Sequence, residues 1–112
     1  MQKRHLAWML SISMMSLGSA QAADDANHIR TLAASCAACH GTNGNSVGGT
    51  PVLAGLDQGH FVSQMMAFRS GTRASTVMHH HAKGLTPEEI QQLAAYFARQ
   101  KRVTTSAPAT VE

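Results

Sequence analysis

The sequence predicts an all-α domain with long loops, and three observations carry that expectation. Apolar residues recur at helical spacing in three segments, and no strand-like alternation interrupts them. Six of the nine glycines fall in one aperiodic stretch, Gly41 to Gly59, which reads as a loop. The chain has 112 residues, enough for one small domain. Apolar residues make up 44% but aromatics only 4%, so the core is thin. Charged residues are 13%, about half the usual share. No apolar run reaches the roughly 18–20 residues of a spanning helix, which excludes a multispanning protein.

The N-terminus reads as an export signal. Met1 to His5 is short and cationic, Leu6 to Leu17 is apolar, and Ala20-Gln21-Ala22 has the small-x-small pattern of a cleavage site. Cleavage is expected after Ala22, so residues 1–22 leave and the mature chain starts at Ala23. An uncleaved membrane anchor is the alternative, and the apolar run is short for one. Without Lys3 and Arg4, seven cations face six anions, a net of +1. The mature aromatics are Phe61, Phe68, Tyr96 and Phe97, and no basic patch interleaves with them. Nucleic-acid binding is therefore not expected. A chain of this size with so few large apolar side chains often needs a staple.

The first helix is expected from about Asp25 to Ser35, with Ile29, Leu32, Ala33 and Cys36 on one face. Asp24 or Asp25 would be its N-cap. The glycine-rich loop follows. A second helix begins near Asp57, carries Phe61, Met65 and Phe68 at i, i+4 and i+7, and ends at Ser70-Gly71. Thr72 to Leu85 is again aperiodic. The third helix opens with Thr86-Pro87-Glu88-Glu89, an N-cap, a Pro at N1 and a Glu closing a capping box. Ile90, Leu93, Ala94 and Phe97 share its face, and Arg99, Lys101 and Arg102 follow at its negative end. One domain is thus expected over residues 23–103, with a disordered tail over 104–112.

The two cysteines stand in Cys36-Ala37-Ala38-Cys39-His40. Cys-x-x-Cys-His is the attachment pattern of c-type haem. Thiols one helical turn apart can add to the two vinyl groups of a porphyrin, and the next residue, His40, then aims its imidazole at the iron. Three other uses compete. A thioredoxin-like pair needs a βαβ context. A zinc site needs about four ligands, and His79, His80 and His81 supply a poor second set. A plain disulfide suits an exported chain but leaves His40 and the glycine-rich stretch unexplained.

From roughly Asp25 to Gln100 the chain resembles a class I c-type cytochrome. The resemblance rests on CAACHG at 36–41, Pro51 and Leu53, Met78 in its loop, and Leu93-Ala94-Ala95-Tyr96. Within that class, CAACHGTNGNSVGG, QMMAFRSGTR, TVM, AKG and AAYFA are similar to the cytochrome subunit of flavocytochrome c sulfide dehydrogenases and to domains of related diheme cytochromes. The run of three histidines is not carried over from the family. The resemblance implies a small class I fold, three main helices with long loops around one covalently attached haem. It also implies that Pro51 offers its carbonyl to the outer nitrogen of His40. Leu53 would pack on the porphyrin face, Phe61, Met65 and Phe68 would line the apolar wall, and Tyr96 would pack the last helix on the first.

With His40 as proximal axial ligand, the distal one remains to be found. Met65 is explained as core by its Phe spacing. Met78 lies in an aperiodic stretch, where the family pattern also places the distal Met. His79, His80 and His81 remain open as alternatives, read otherwise as a solvated run, and His28 and His60 read as exposed helix residues.

An iron held from both sides has no free position for substrate, so outer-sphere electron transfer is the expected function, and a thioether ligand favours Fe(II). The resemblance implies a periplasmic, non-catalytic haem subunit that accepts electrons from a sulfide-oxidising FAD flavoprotein. A diffusible carrier and a five-coordinate gas- or peroxide-binding protein are the alternatives.

Overall fold

The computed structural model describes residues 18–104. The cationic segment and apolar run of the expected signal, and tail residues 105–112, lie outside the described residues. Four α-helices occur in chain order: α1 Gly18–His40, α2 Gln58–Ser70, α3 Met78–Lys83 and α4 Pro87–Ala98. A 3₁₀ turn, Thr42–Gly44, follows α1 directly. Among the described residues there is no strand, and no helix is long and apolar enough to cross a membrane.

The first helix is longer than its apolar period suggests. Asp24 and Asp25 lie inside α1, so neither is its N-cap. The alanines flanking Asp24 and Asp25 continue the helix backward, and residues 21–28 are exposed. At the other end α1 runs through the cysteine motif to His40 and stops at Gly41, whose φ is +77°. A side chain there would be strained and would meet the Asn45 carbonyl.

Helix α2 begins as expected, with the Asp57 carboxylate accepting from the His60 amide at 2.8 Å, and ends at Gly71 with φ +81°. In α4, Thr86 accepts from the Glu89 amide at 3.1 Å while the Glu89 carboxylate accepts from the Thr86 amide at 2.8 Å. Both halves of the capping box are therefore made. The cations after α4 lie beyond its last turn, which holds none. The Arg102 guanidinium instead donates to the Ala54 carbonyl at 3.1 Å.

The expectation of an uninterrupted loop over Thr72 to Leu85 is corrected by α3. Six residues are too few to display a period, and three of them are histidines. With α3 the fold has three long helices and one short one.

One core cluster joins the four helices: Ile29 and Ala33 of α1, Phe61 and Met65 of α2, Ala82 of α3, and Ile90, Leu93, Ala94 and Phe97 of α4. Phe61 and Phe97 stack at 5.9 Å between centroids. Tyr96 meets Phe97 edge-on at 5.2 Å and borders a surface groove shared with Asp25, Ala26 and Ile29 of α1. Burying each large apolar side chain contributes about 1.5–3 kcal/mol, and Phe97, Ile90 and Leu93 are the largest that are fully enclosed.

Candidate haem site

Helix α1 places both cysteines and His40 in its final turns. Both thiols are free. Cys36 is half-buried and packs against the core, donating weakly to the Leu32 carbonyl at 3.5 Å. Burial pushes the Cys36 thiol above its ordinary range. Cys39 is exposed. Its carbonyl is one that a helix end leaves without a partner, and the Thr50 hydroxyl donates to it at 2.6 Å.

His40 is the one buried polar or charged side chain among the described residues, at 8% exposure. Its Nδ1 donates to the Pro51 carbonyl at 2.8 Å, which fixes the ring and, in the neutral tautomer, puts the lone pair on Nε2. No enclosed side-chain nitrogen or oxygen among the described residues lacks a hydrogen bond. The Nε2 edge, with no bond of its own, therefore opens onto accessible space.

The loop that presents Pro51 is tied down on both sides. Gly44 accepts from the amides of Leu53 at 2.8 Å and Ala54 at 3.2 Å, and Gly55 donates to the Phe97 carbonyl at 2.9 Å. Asn45 holds the segment after α4 from both faces, donating to the Lys101 carbonyl at 3.0 Å and accepting from the Val103 amide at 2.8 Å. Asn45 and Thr50 were not singled out by sequence, because a lone polar residue in a loop carries no periodic signal. Leu53 is half-buried beside the core, as are Leu56, Val62, Phe68 and Met78. Phe61 and Met65 are buried within it.

Met78 is the first residue of α3 rather than part of an irregular loop. Met66 faces outward at 38% exposure. His79 is half-buried with its Nδ1 3.1 Å from the Ser75 hydroxyl, whereas His80 and His81 are exposed. His60 is exposed, and His28 reaches Glu89 of α4 at 2.7 Å. That bond from His28 holds the Glu89 carboxyl below its ordinary range, with the Thr86 amide adding to the effect.

The competing uses of the cysteine motif find little here. No cluster of three or more His, Cys, Asp or Glu that could hold a metal ion occurs among the described residues. A βαβ context is likewise missing there. A porphyrin supplies four nitrogens of its own, so a haem iron would ask fewer side chains of the protein than a zinc site does.

The cytochrome c family model matches residues 30–101, from the middle of α1 past the end of α4. The chain belongs to the cytochrome c family. It is 47% identical over 66 residues to the cytochrome subunit of sulfide dehydrogenase of Chlorobaculum tepidum, covering 59% of this chain and 60% of that one. It is 40% identical over 78 residues to a thiosulfate dehydrogenase electron acceptor of Thiomonas intermedia, covering 68% and 36%. With cytochrome c-554(547) of Halothiobacillus neapolitanus it shares 36% over 79 residues, covering 61% and 87%. The chain spans 27–60% of the length of the first curated relatives it matches.

Family membership implies a covalently attached haem c, and the residues present fit one. Two free thiols stand one turn apart at a helix end, beside a buried imidazole with one nitrogen anchored and the other open. Half-buried apolar side chains border the same core. A haem would cover them.

Proposed function

We propose that this chain is a one-electron carrier with a single haem c, acting in the periplasm as the cytochrome subunit that accepts electrons from a sulfide-oxidising FAD flavoprotein. The observation that carries the reading is the 2.8 Å bond from His40 Nδ1 to the Pro51 carbonyl. It leaves a single lone pair on a buried ring directly after the two thiols.

Cys36 and Cys39 would hold the group covalently. His40 Nε2 and Met78 would hold the iron, with Pro51 raising the basicity of His40. Leu53, Phe61 and Met65 would exclude water from the ring. When bound, the haem supplies an Fe(III)/Fe(II) couple that takes and returns one electron without making a bond to a substrate. Met78 is offered for this closed arrangement because it is half-buried at the start of α3 and stands where the resemblance puts the second ligand. With His40 and Met78 both holding the iron, the chain would not itself be the catalyst; sulfide chemistry would reside on the flavoprotein.

Export fits the covalent attachment. Cleavage after Ala22 would remove the first residues of α1, yet Ile29 is the first side chain of α1 in the core. The cytochrome domain would then run from Ala23 to Val103, whose amide is the last that Asn45 holds.

A sulfide dehydrogenase as partner is supported by the name of the Chlorobaculum relative, and its flavin by the resemblance that the sequence motifs carry. A free-standing carrier is the second reading, favoured by the 87% coverage of the Halothiobacillus cytochrome. Native purification distinguishes them. The subunit reading predicts one haem per chain, stoichiometric FAD in the complex and haem reduction by sulfide. A cytochrome that elutes alone and that sulfide does not reduce in cell extract contradicts it.

A further inference from the structure

We propose that Arg69 is a positioning residue that holds the Met78 sulfur in place by capping α3 from the neighbouring helix; this rests on the reading of Met78 as distal ligand. Helix α3 has six residues, far fewer than an isolated helix needs to persist. Its N-cap residue, Val77, offers no side-chain bond. Contacts from outside must therefore fix it.

At the N-terminal end the Ser75 hydroxyl accepts from the His79 amide at 2.9 Å. At the C-terminal end one nitrogen of Arg69, Nη1, reaches three carbonyls: Leu85 at 2.7 Å, Lys83 at 3.1 Å and Ala82 at 3.3 Å. Its two N–H bonds serve three acceptors, so one is shared. The Ala82 carbonyl also accepts from the Leu85 amide at 3.3 Å, so Arg69 reinforces that turn, while Lys83 supplies a carbonyl that the end of a helix leaves without a partner. The cation also sits at the negative end of α3.

The frame behind the clamp is part of the core. Arg69 stands near the end of α2, the helix that contributes Phe61 and Met65 to the core. Ala82 is fully buried, so the C-terminal end of α3 rests on the same core. Met78 lies at the opposite end of this short helix and is half-buried against the core. Any tilt or slide of α3 moves its sulfur. Lysine would be a poor replacement, because its ammonium lacks the planar fork of donors. Arg73, four residues on, does something different: its guanidinium lies over the Phe68 ring at 4.7 Å.

The test follows the near-infrared Met-to-iron charge-transfer band of the oxidised holoprotein, beside far-UV ellipticity, as denaturant rises. Carbon monoxide association with the reduced protein is measured in parallel. In the wild type the band and the ellipticity are expected to vanish together, and Met78→Ala should abolish the band. In Arg69→Gln the band should vanish at lower denaturant than the ellipticity. Carbon monoxide should bind about tenfold faster or more, in line with the net worth of hydrogen bonds to a charged group. Arg69→Lys should fall between, and Arg73→Gln should match the wild type. A low-spin spectrum without the band, with a histidine in place of the sulfur, also supports the clamp.

Coincident transitions and a wild-type carbon monoxide rate in Arg69→Gln overturn the proposal while leaving Met78 as the ligand. A wild type with no such band defeats the Met78 reading and the clamp together. If Arg69→Gln does not accumulate as holoprotein, Arg69→Lys decides by the same comparison. Failure of both to accumulate marks Arg69 as purely structural and overturns the proposal.

Discussion

Gly44 joins the loop that presents Pro51 to the rest of the fold, and Gly44→Ala tests that junction. The residue is buried with φ +75°, a region that costs an L side chain about 1–2 kcal/mol. An added Cβ would lie 2.8 Å from Leu53 Cβ, 3.0 Å from the Ala54 amide nitrogen and 3.0 Å from the Phe97 ring. None of these is a flexible side-chain tip, and overpacking of this kind costs about 1–3 kcal/mol. The expected loss is about 2–5 kcal/mol, a large part of the roughly 5–15 kcal/mol available to a small domain. Denaturant unfolding of the holoprotein followed by far-UV ellipticity measures it. Gly48→Ala is the control: nothing lies within 4 Å of its Cβ position, and its stability should stay within about 0.5 kcal/mol of wild type. A Gly44→Ala protein within about 1 kcal/mol of wild type would refute the packing argument.

Two further outcomes are expected. Cys36→Ala with Cys39→Ala should leave no stably folded domain, because the half-buried apolar side chains beside the core would stay uncovered; a cooperatively melting, haem-free domain from that variant would contradict this. The Glu89 carboxyl titrates below its ordinary range, so its contribution to stability is present above the usual carboxylate pKa and is lost as pH falls through the lowered one. Glu89→Gln should flatten stability against pH in that acid window, and an unchanged acid limb would show that the Glu89 charge contributes nothing through His28 or the Thr86 amide.

The parts of the fold legible in sequence are those encoded locally. The capping box at Thr86 and Glu89, the Asp57 start of α2 and the apolar face from Ile90 to Phe97 each use residues within two turns of one another. The cysteine motif is equally local, and it indicated the haem. Helix α3 was not legible, because the groups that hold it come from outside: Arg69 lies in a separate helix and Ser75 precedes α3. The ends of α1 were misjudged since alanine-rich segments show no amphipathic period although they extend a helix well. For Asn45 and Arg102 the partners lie more than forty residues away in the chain, and no spacing rule reaches that far.

One haem iron held between His40 and Met78 would leave electron transfer as the function of the chain. The near-infrared spectrum of the oxidised holoprotein, taken for wild type and Met78→Ala, tests it most directly. Met65→Leu serves as the neutral comparison, a near-isosteric core change that should cost under about 1.5 kcal/mol and leave ligation intact. Wild type and Met65→Leu should both show a Met-to-iron charge-transfer band, and Met78→Ala should lose it. The variant should then either bind carbon monoxide or become low-spin through His79, His80 or His81. A wild-type spectrum without the band, unchanged in Met78→Ala, would contradict it.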